Sequence, residues 1–107
     1  LHADGSVTKA SIFCHLHGGP SGPDGLALDA EGGLLVAHAG FGTVWRLSPR
    51  AEPLLRIASC AGWSTTNLAF GGADGRSLFV TESETGSILH ATLPVAGQPL
   101  YSHAAQA

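Results

Sequence analysis

The 107-residue sequence has no methionine, two cysteines, five basic residues, and charged side chains at only 12% of positions. Each scarcity excludes something. Lys9, Arg46, Arg50, Arg56 and Arg76 are scattered and the net charge is −3, so there is no basic face for a nucleic acid. No apolar run approaches the roughly 20 residues of a membrane span, and the start has no apolar leader core. The expectation is a soluble protein with no membrane partner, the cytoplasm being the favoured compartment. The lack of an initiator methionine reads as a processed product or a piece of something longer. Cys14 and Cys60 make neither a C-x-x-C pair nor a zinc spacing and read as two free, buried thiols. A G-x-S-x-G nucleophile elbow is missing, as is a glycine-rich phosphate loop between strand and helix. Long helices are excluded as well, because glycine and proline interrupt the chain about every ten residues.

Short apolar runs are what the sequence does have: residues 11–16, 25–29, 34–39, 43–48, 53–59, 66–71, 77–83, 87–93 and 99–103. Turn formers separate them, among them Glu31-Gly32-Gly33, Gly40-Phe41-Gly42, Ala73-Asp74-Gly75 and Thr85-Gly86. This spacing reads as antiparallel all-β. The runs also repeat as a group. Leu26-Ala27-Leu28 answers Leu68-Ala69-Phe70 at an offset of 42, and Leu35-Val36-Ala37 answers Phe79-Val80-Thr81 at an offset of 44. Gly42-Thr43-Val44 and Gly86-Ser87-Ile88 are again 44 apart. A period of about 40 to 50 residues carrying four strands is that of a propeller blade. The expected architecture is therefore a partial β-propeller domain over residues 1–107: an outer strand at 11–16, then two four-stranded antiparallel blades at 23–60 and 65–103. A single sandwich is the runner-up, but a sandwich needs no internal repeat. Propellers close with typically about four to eight blades, so two blades expect company, either the remainder of a propeller or further copies of the chain.

Against this frame one acid stands out. Asp29 and Glu31 precede a Gly-Gly turn and are explained by it. Asp24, between Pro23 and Gly25 just before an apolar strand, is not. In a propeller the innermost strand of each blade lines the central channel, so Asp24 would stand at one mouth. A carboxylate there suits a hard divalent cation or a general base. Thr66 and Asn67 occupy the same place in the second repeat and are candidate substrate contacts, as are His38 and Glu82 at the ends of their second strands. His15 and His17 share one face of the first strand in the manner of an H-x-H metal pair, although such an outer strand is mostly solvated.

The runs GPDGLALDAEGGLLVA, GTVWRLSP and TTNLAFGGADGRSLFVTESETGSILHATLPVAGQPLYSH resemble the C-terminal part of the SMP-30/gluconolactonase/LRE-like family, over about residues 3 to 103. The resemblance implies a six-bladed propeller that holds a divalent metal in its channel and hydrolyses sugar lactones and related esters. It implies Ca²⁺ as the metal, with Mg²⁺, Zn²⁺ or Mn²⁺ as alternatives. The family's metal is held by a Glu, an Asn and the Asp of P-D-G. Of these only the last maps onto this chain, as Asp24, which becomes the expected metal ligand and catalytic base. The Glu motif of G-E-x-P type is absent, and the middle-blade Asn and the substrate-binding Asn have no counterpart here. Two functions follow as expectations: the C-terminal part of a metal-dependent sugar-lactone hydrolase, or a non-catalytic propeller piece that serves assembly or binding.

Overall fold

The computed structural model describes residues 2–100. Among them are seven strands and no helix. β1 (Pro23–Leu28), β2 (Leu34–His38), β3 (Thr43–Leu47) and β4 (Pro53–Ala58) form one antiparallel sheet in chain order. β5 (Thr65–Gly71), β6 (Ser77–Glu82) and β7 (Ser87–Thr92) form a second in the same way. These are the two repeats. The change of offset from 42 to 44 also has a structural cause. Leu28 pairs with Leu34 at the tip of the first hairpin, whereas the second continues past Phe70–Leu78 to one more pair, Gly71–Ser77.

The sheets pack face to face, and the core is their seam. Leu35, Ala37 and Val44 from the first meet Leu68, Leu78 and Val80 from the second, with Leu93 closing one end. Alternation along the strands puts the next residues on the opposite faces, where several large apolar side chains stay uncovered by the described residues. Leu26 and Leu28 on β1 and Phe79 and Ile88 on β6 and β7 are exposed, Ile88 by 72%. Beyond β7 no fourth strand follows among the described residues. The chain crosses to the first hairpin instead: Asp29 bridges Gly97, and the Gln98 N–H donates to the Leu28 carbonyl at 2.9 Å. Pro99 and Leu100, where a fourth strand was expected, carry none, and residues 101–103 lie outside the described part. Among the described residues the second sheet thus has three strands.

Residues 11–16 carry no strand in this single chain; an outer strand needs a sheet edge to bond to, and this segment finds none among the described residues. One other expectation is corrected. Cys14 and Cys60 are free as expected but exposed rather than buried, because neither belongs to a strand facing the seam. No helix among the described residues is long and apolar enough to cross a membrane.

Candidate functional site

β1 and β5 are the inner strands, and they stand side by side. A Cβ built on Gly25 would lie 2.7 Å from the Asn67 Cα, so no side chain fits between them. This contact joins the two repeats at corresponding positions and places Asp24 and Asn67 on adjoining strands at one end of the blades.

Both inner strands are irregular at that point. In β1 the register slips by one residue between Pro23–His38 and Leu26–Val36, so Asp24 and Gly25 together face Ala37. In β5 it slips between Thr65–Glu82 and Asn67–Thr81, leaving Thr66 as the extra residue. Each repeat therefore carries a β-bulge at its mouth end, a device that re-aims side chains next to sites. It answers the question raised by Asp24. The residue is an outlier in strand chemistry because it sits in a bulge, where its carboxylate is turned out to solvent.

The other bulge is more occupied. Thr66 Oγ1 shares a hydrogen bond with Thr81 Oγ1 at 2.9 Å. The Asn67 N–H donates to Thr81 Oγ1 at 3.1 Å, and Asn67 Oδ1 accepts from the following N–H, of Leu68, at 2.9 Å. Thr66 is partly buried and Asn67 exposed. Both reach the same end as Asp24, as expected of them, but their oxygens serve first to shape the strand.

His38 and Glu82 do not face solvent. Each is only 1% exposed. His38 lies opposite Pro23 and Glu82 opposite Thr65, so they are equivalent positions in the two blades. The Trp45 indole N–H donates to His38 Nδ1 at 3.1 Å, and His38 Nε2 lies 3.1 Å from the Gly18 carbonyl. An indole can only donate, so Nδ1 is bare and the proton is on Nε2, which donates to Gly18. The ring also stacks on Phe41 at 4.9 Å, and the Arg56 guanidinium covers the Phe41 and Trp45 rings at 5.3 and 5.8 Å.

The Glu82 carboxylate accepts from the backbone N–H groups of Gly62 (3.1 Å), Ser64 (3.2 Å), Glu84 (2.8 Å) and Thr85 (3.0 Å). It also accepts from Thr85 Oγ1 at 2.5 Å. The Thr85 hydroxyl, with the amides of Thr85, Glu84 and Ser64 adding to it against the opposing effect of burial, holds its pKa down, to about 2. Both residues therefore anchor the loops that lead into the inner strands. As exposed loop residues touching a substrate they would have no such partners.

Asp29 carries more than its turn. Besides accepting from the N–H groups of Glu31 and Gly33, it pairs with Arg46 at 2.7 Å, almost fully buried. Burial pushes its carboxyl up, but Arg46 and the two amides outweigh that and leave it lowered. Nothing in the spacing of Asp29 and Arg46 announced the pair, which depends on the β2–β3 register.

The donor set does not complete a cation site. Ca²⁺ takes about six to eight oxygen ligands, and no group of three or more His, Cys, Asp or Glu side chains able to hold a metal occurs among the described residues. Asp24 offers one carboxylate, while the Asn67 and Thr66 oxygens are engaged within the strand. His15 and His17 do share a face, their rings stacked at 5.9 Å, but no third ligand joins them among the described residues.

With this geometry in view, comparison with known proteins is informative. A family model for the SMP-30/Gluconolactonase/LRE-like region matches residues 1–84. Regucalcin from Oryctolagus cuniculus is 35% identical over 77% of this chain and 32% of its own length. The 6-deoxy-6-sulfogluconolactonase of Pseudomonas putida is 37% identical over 78% of this chain and 28% of its own. Among solved structures, one assigned as a gluconolactonase superposes with a TM-score of 0.65 at 31% identity, over 76% of this chain and 26% of the other. A luciferin-regenerating enzyme superposes with a TM-score of 0.61 at 27% identity, over 74% and 31%. The chain thus spans about a third of the curated relatives it matches.

Proposed function

We propose a function from one premise: the chain belongs to the SMP-30/gluconolactonase/LRE-like family. Lactonase-type chemistry is then the function class. The finer reading is that this chain supplies two blades and one acid, Asp24, to a propeller that hydrolyses a sugar lactone. The observation that carries it is the solvent-facing Asp24 on the β1 bulge, set against the neighbouring inner strand through the Gly25–Asn67 contact.

In that role Asp24 acts as general base. Its carboxylate takes a proton from water as the water oxygen bonds to the lactone carbonyl carbon. The ring C–O bond then breaks as the proton held by Asp24 passes to the ring oxygen, which restores the carboxylate, and the open hydroxy acid leaves and ionises, releasing one proton. Among the described residues Asp24 would also be the carboxylate donor to a divalent cation, Ca²⁺ before Mg²⁺, Zn²⁺ or Mn²⁺. The family's Glu and Asn donors would come from elsewhere in the assembly. The open sheet faces around Leu26, Leu28, Phe79 and Ile88 are where further blades would pack, contributed by the remainder of a propeller or by copies of this chain.

The test is proton release from glucono-1,5-lactone, followed in a pH-stat, with the protein in its native assembly. Asp24→Asn is expected to lower the rate by about 10²–10⁴ and to change stability by less than about 0.5 kcal/mol. Full activity in the variant would remove Asp24 from the reaction. A second reading, a non-catalytic assembly or binding module, is favoured by one observation: His38 and Glu82 are engaged with backbone, which leaves Asp24 without a second ionisable partner.

A further inference from the structure

Most exposed apolar side chains of this chain that lie in strands belong to sheet faces that another blade would cover. Trp63 is different. It lies in the loop between β4 and β5, at the end where β1 and β5 begin, and is 65% exposed. Three positions later comes Thr66, the bulge residue.

The loop that carries it is tightly held. Three consecutive amides are bound by two carboxylates: Gly62 and Ser64 donate to Glu82, and Trp63 donates to Glu84 Oε2 at 2.8 Å. The Trp63 carbonyl accepts from the Gly42 N–H at 2.9 Å. The indole rests against Gly42, where a built Cβ would lie 3.2 Å from Trp63 Cε3, and Gly42 has a φ of +61° that side chains rarely adopt. An exposed indole on a mobile loop would be unremarkable. Here glycine at 42 leaves room for the ring, and Glu82 and Glu84 fix the backbone beneath it.

We propose that Trp63 is a substrate platform, a specificity-determining residue whose indole face stacks on the C–H face of a sugar-lactone ring. The inference rests on the lactonase reading above and adds the group that holds the sugar. A pyranoid lactone has an apolar face of axial C–H bonds and a rim of hydroxyls. The chain offers one flat apolar surface, the exposed Trp63 ring, in the loop that runs straight into Ser64 and the start of β5, where Thr66 and Asn67 lie. Glu82 is then a positioning residue, acting through the 62–64 backbone rather than on the substrate.

The sequence has two tryptophans, Trp45 and Trp63, so the indole N–H region of a ¹⁵N–¹H correlation spectrum separates the test from its control. The variant Trp63→Phe assigns the signals. Titration of the native assembly with glucono-1,5-lactone is expected to move the Trp63 signal saturably and leave that of Trp45, which is bonded to His38, in place. Glycerol at the same concentration should do neither. In proton-release kinetics, Trp63→Ala is expected to raise KM about tenfold, as the loss of one aromatic contact would, with kcat nearly unchanged. Trp63→Phe should recover most of the affinity. A Trp63 signal indifferent to lactone, or a KM unmoved in Trp63→Ala that keeps its wild-type circular dichroism spectrum, overturns the platform. A saturable shift without any hydrolysis sinks the lactonase reading and leaves the platform standing. Hydrolysis with unchanged KM in Trp63→Ala does the reverse.

Discussion

The two blades face one local problem and meet it with opposite chemistry. In each, the loop leading into the inner strand has to be tied to the end of the second strand. The tie is the residue opposite the first residue of the inner strand, His38 in one blade and Glu82 in the other. His38 donates to a carbonyl and accepts from an indole, so it works as a neutral ring with one proton. Glu82 only accepts, from four amides and a hydroxyl, so it works as an anion. One position in a repeat can therefore be filled by either a donor or an acceptor, provided the loop presents the complementary backbone groups. Fold repetition fixes the place of the anchor but leaves its charge free.

Substitutions can break this comparison, and the largest effect is expected from Glu82→Ala. It leaves five donors without their acceptor at once, and it should lower the thermal midpoint, read by circular dichroism, more than any other change considered. Acid should act in the same direction. The Glu82 carboxyl is lowered in the folded chain to about 2, so its contribution is complete above the ordinary value of 4.5 and is lost as pH falls from there through about 2. Urea midpoints measured across that window should fall, and fall less steeply in Glu82→Gln. Gly25→Ala comes next. It strikes the seam shared by both blades, where the neighbour is backbone and cannot yield, and about 1–3 kcal/mol is expected from urea unfolding. His38→Phe keeps the stack on Phe41 but leaves the Trp45 N–H and the Gly18 carbonyl unpaired, which should cost about 1–2 kcal/mol. If His38→Phe cost more than Glu82→Ala, the ranking of the two anchors would be reversed. Thr66→Val is the smallest. It removes one partly exposed hydroxyl contact with Thr81 and should stay within about 0.5 kcal/mol.

Much of the fold was legible because it rests on local rules. Apolar alternation, glycine turns and the repeat offsets placed all seven strands, since β-hairpins pair neighbours in sequence and leave few options for register. The expected outer strands at 11–16 and 99–103 were less secure for a physical reason: an edge strand is defined by what it pairs with, and alternation in the sequence cannot say whether a partner is there. At the site, Asp24 stood out because an acid flanked by proline and glycine fits a strand poorly. Thr66 was reached only through the offset of 42. The anchoring roles of His38 and Glu82 were hidden, because burial depends on loops folding back over the strand ends, and so was the Asp29–Arg46 pair. Trp63 was missed as well. Its signal, an aromatic residue in a glycine- and serine-rich loop just ahead of an inner strand, was present but reads like any other loop residue until its exposure is known.

The paired bulges have a consequence for how such a chain can change over generations. Below the extra residue, every side chain of an inner strand is bound to the period of two, and a change of character is felt in the seam. At the bulge itself that constraint is suspended, because the extra residue absorbs one step of the ladder. Asp24 and Thr66 stand in that break. A lineage can try an acid in one blade and a hydroxyl in the next without re-registering either hairpin, so new chemistry at the rim can be tested one residue at a time while the inherited scaffold stays as it was.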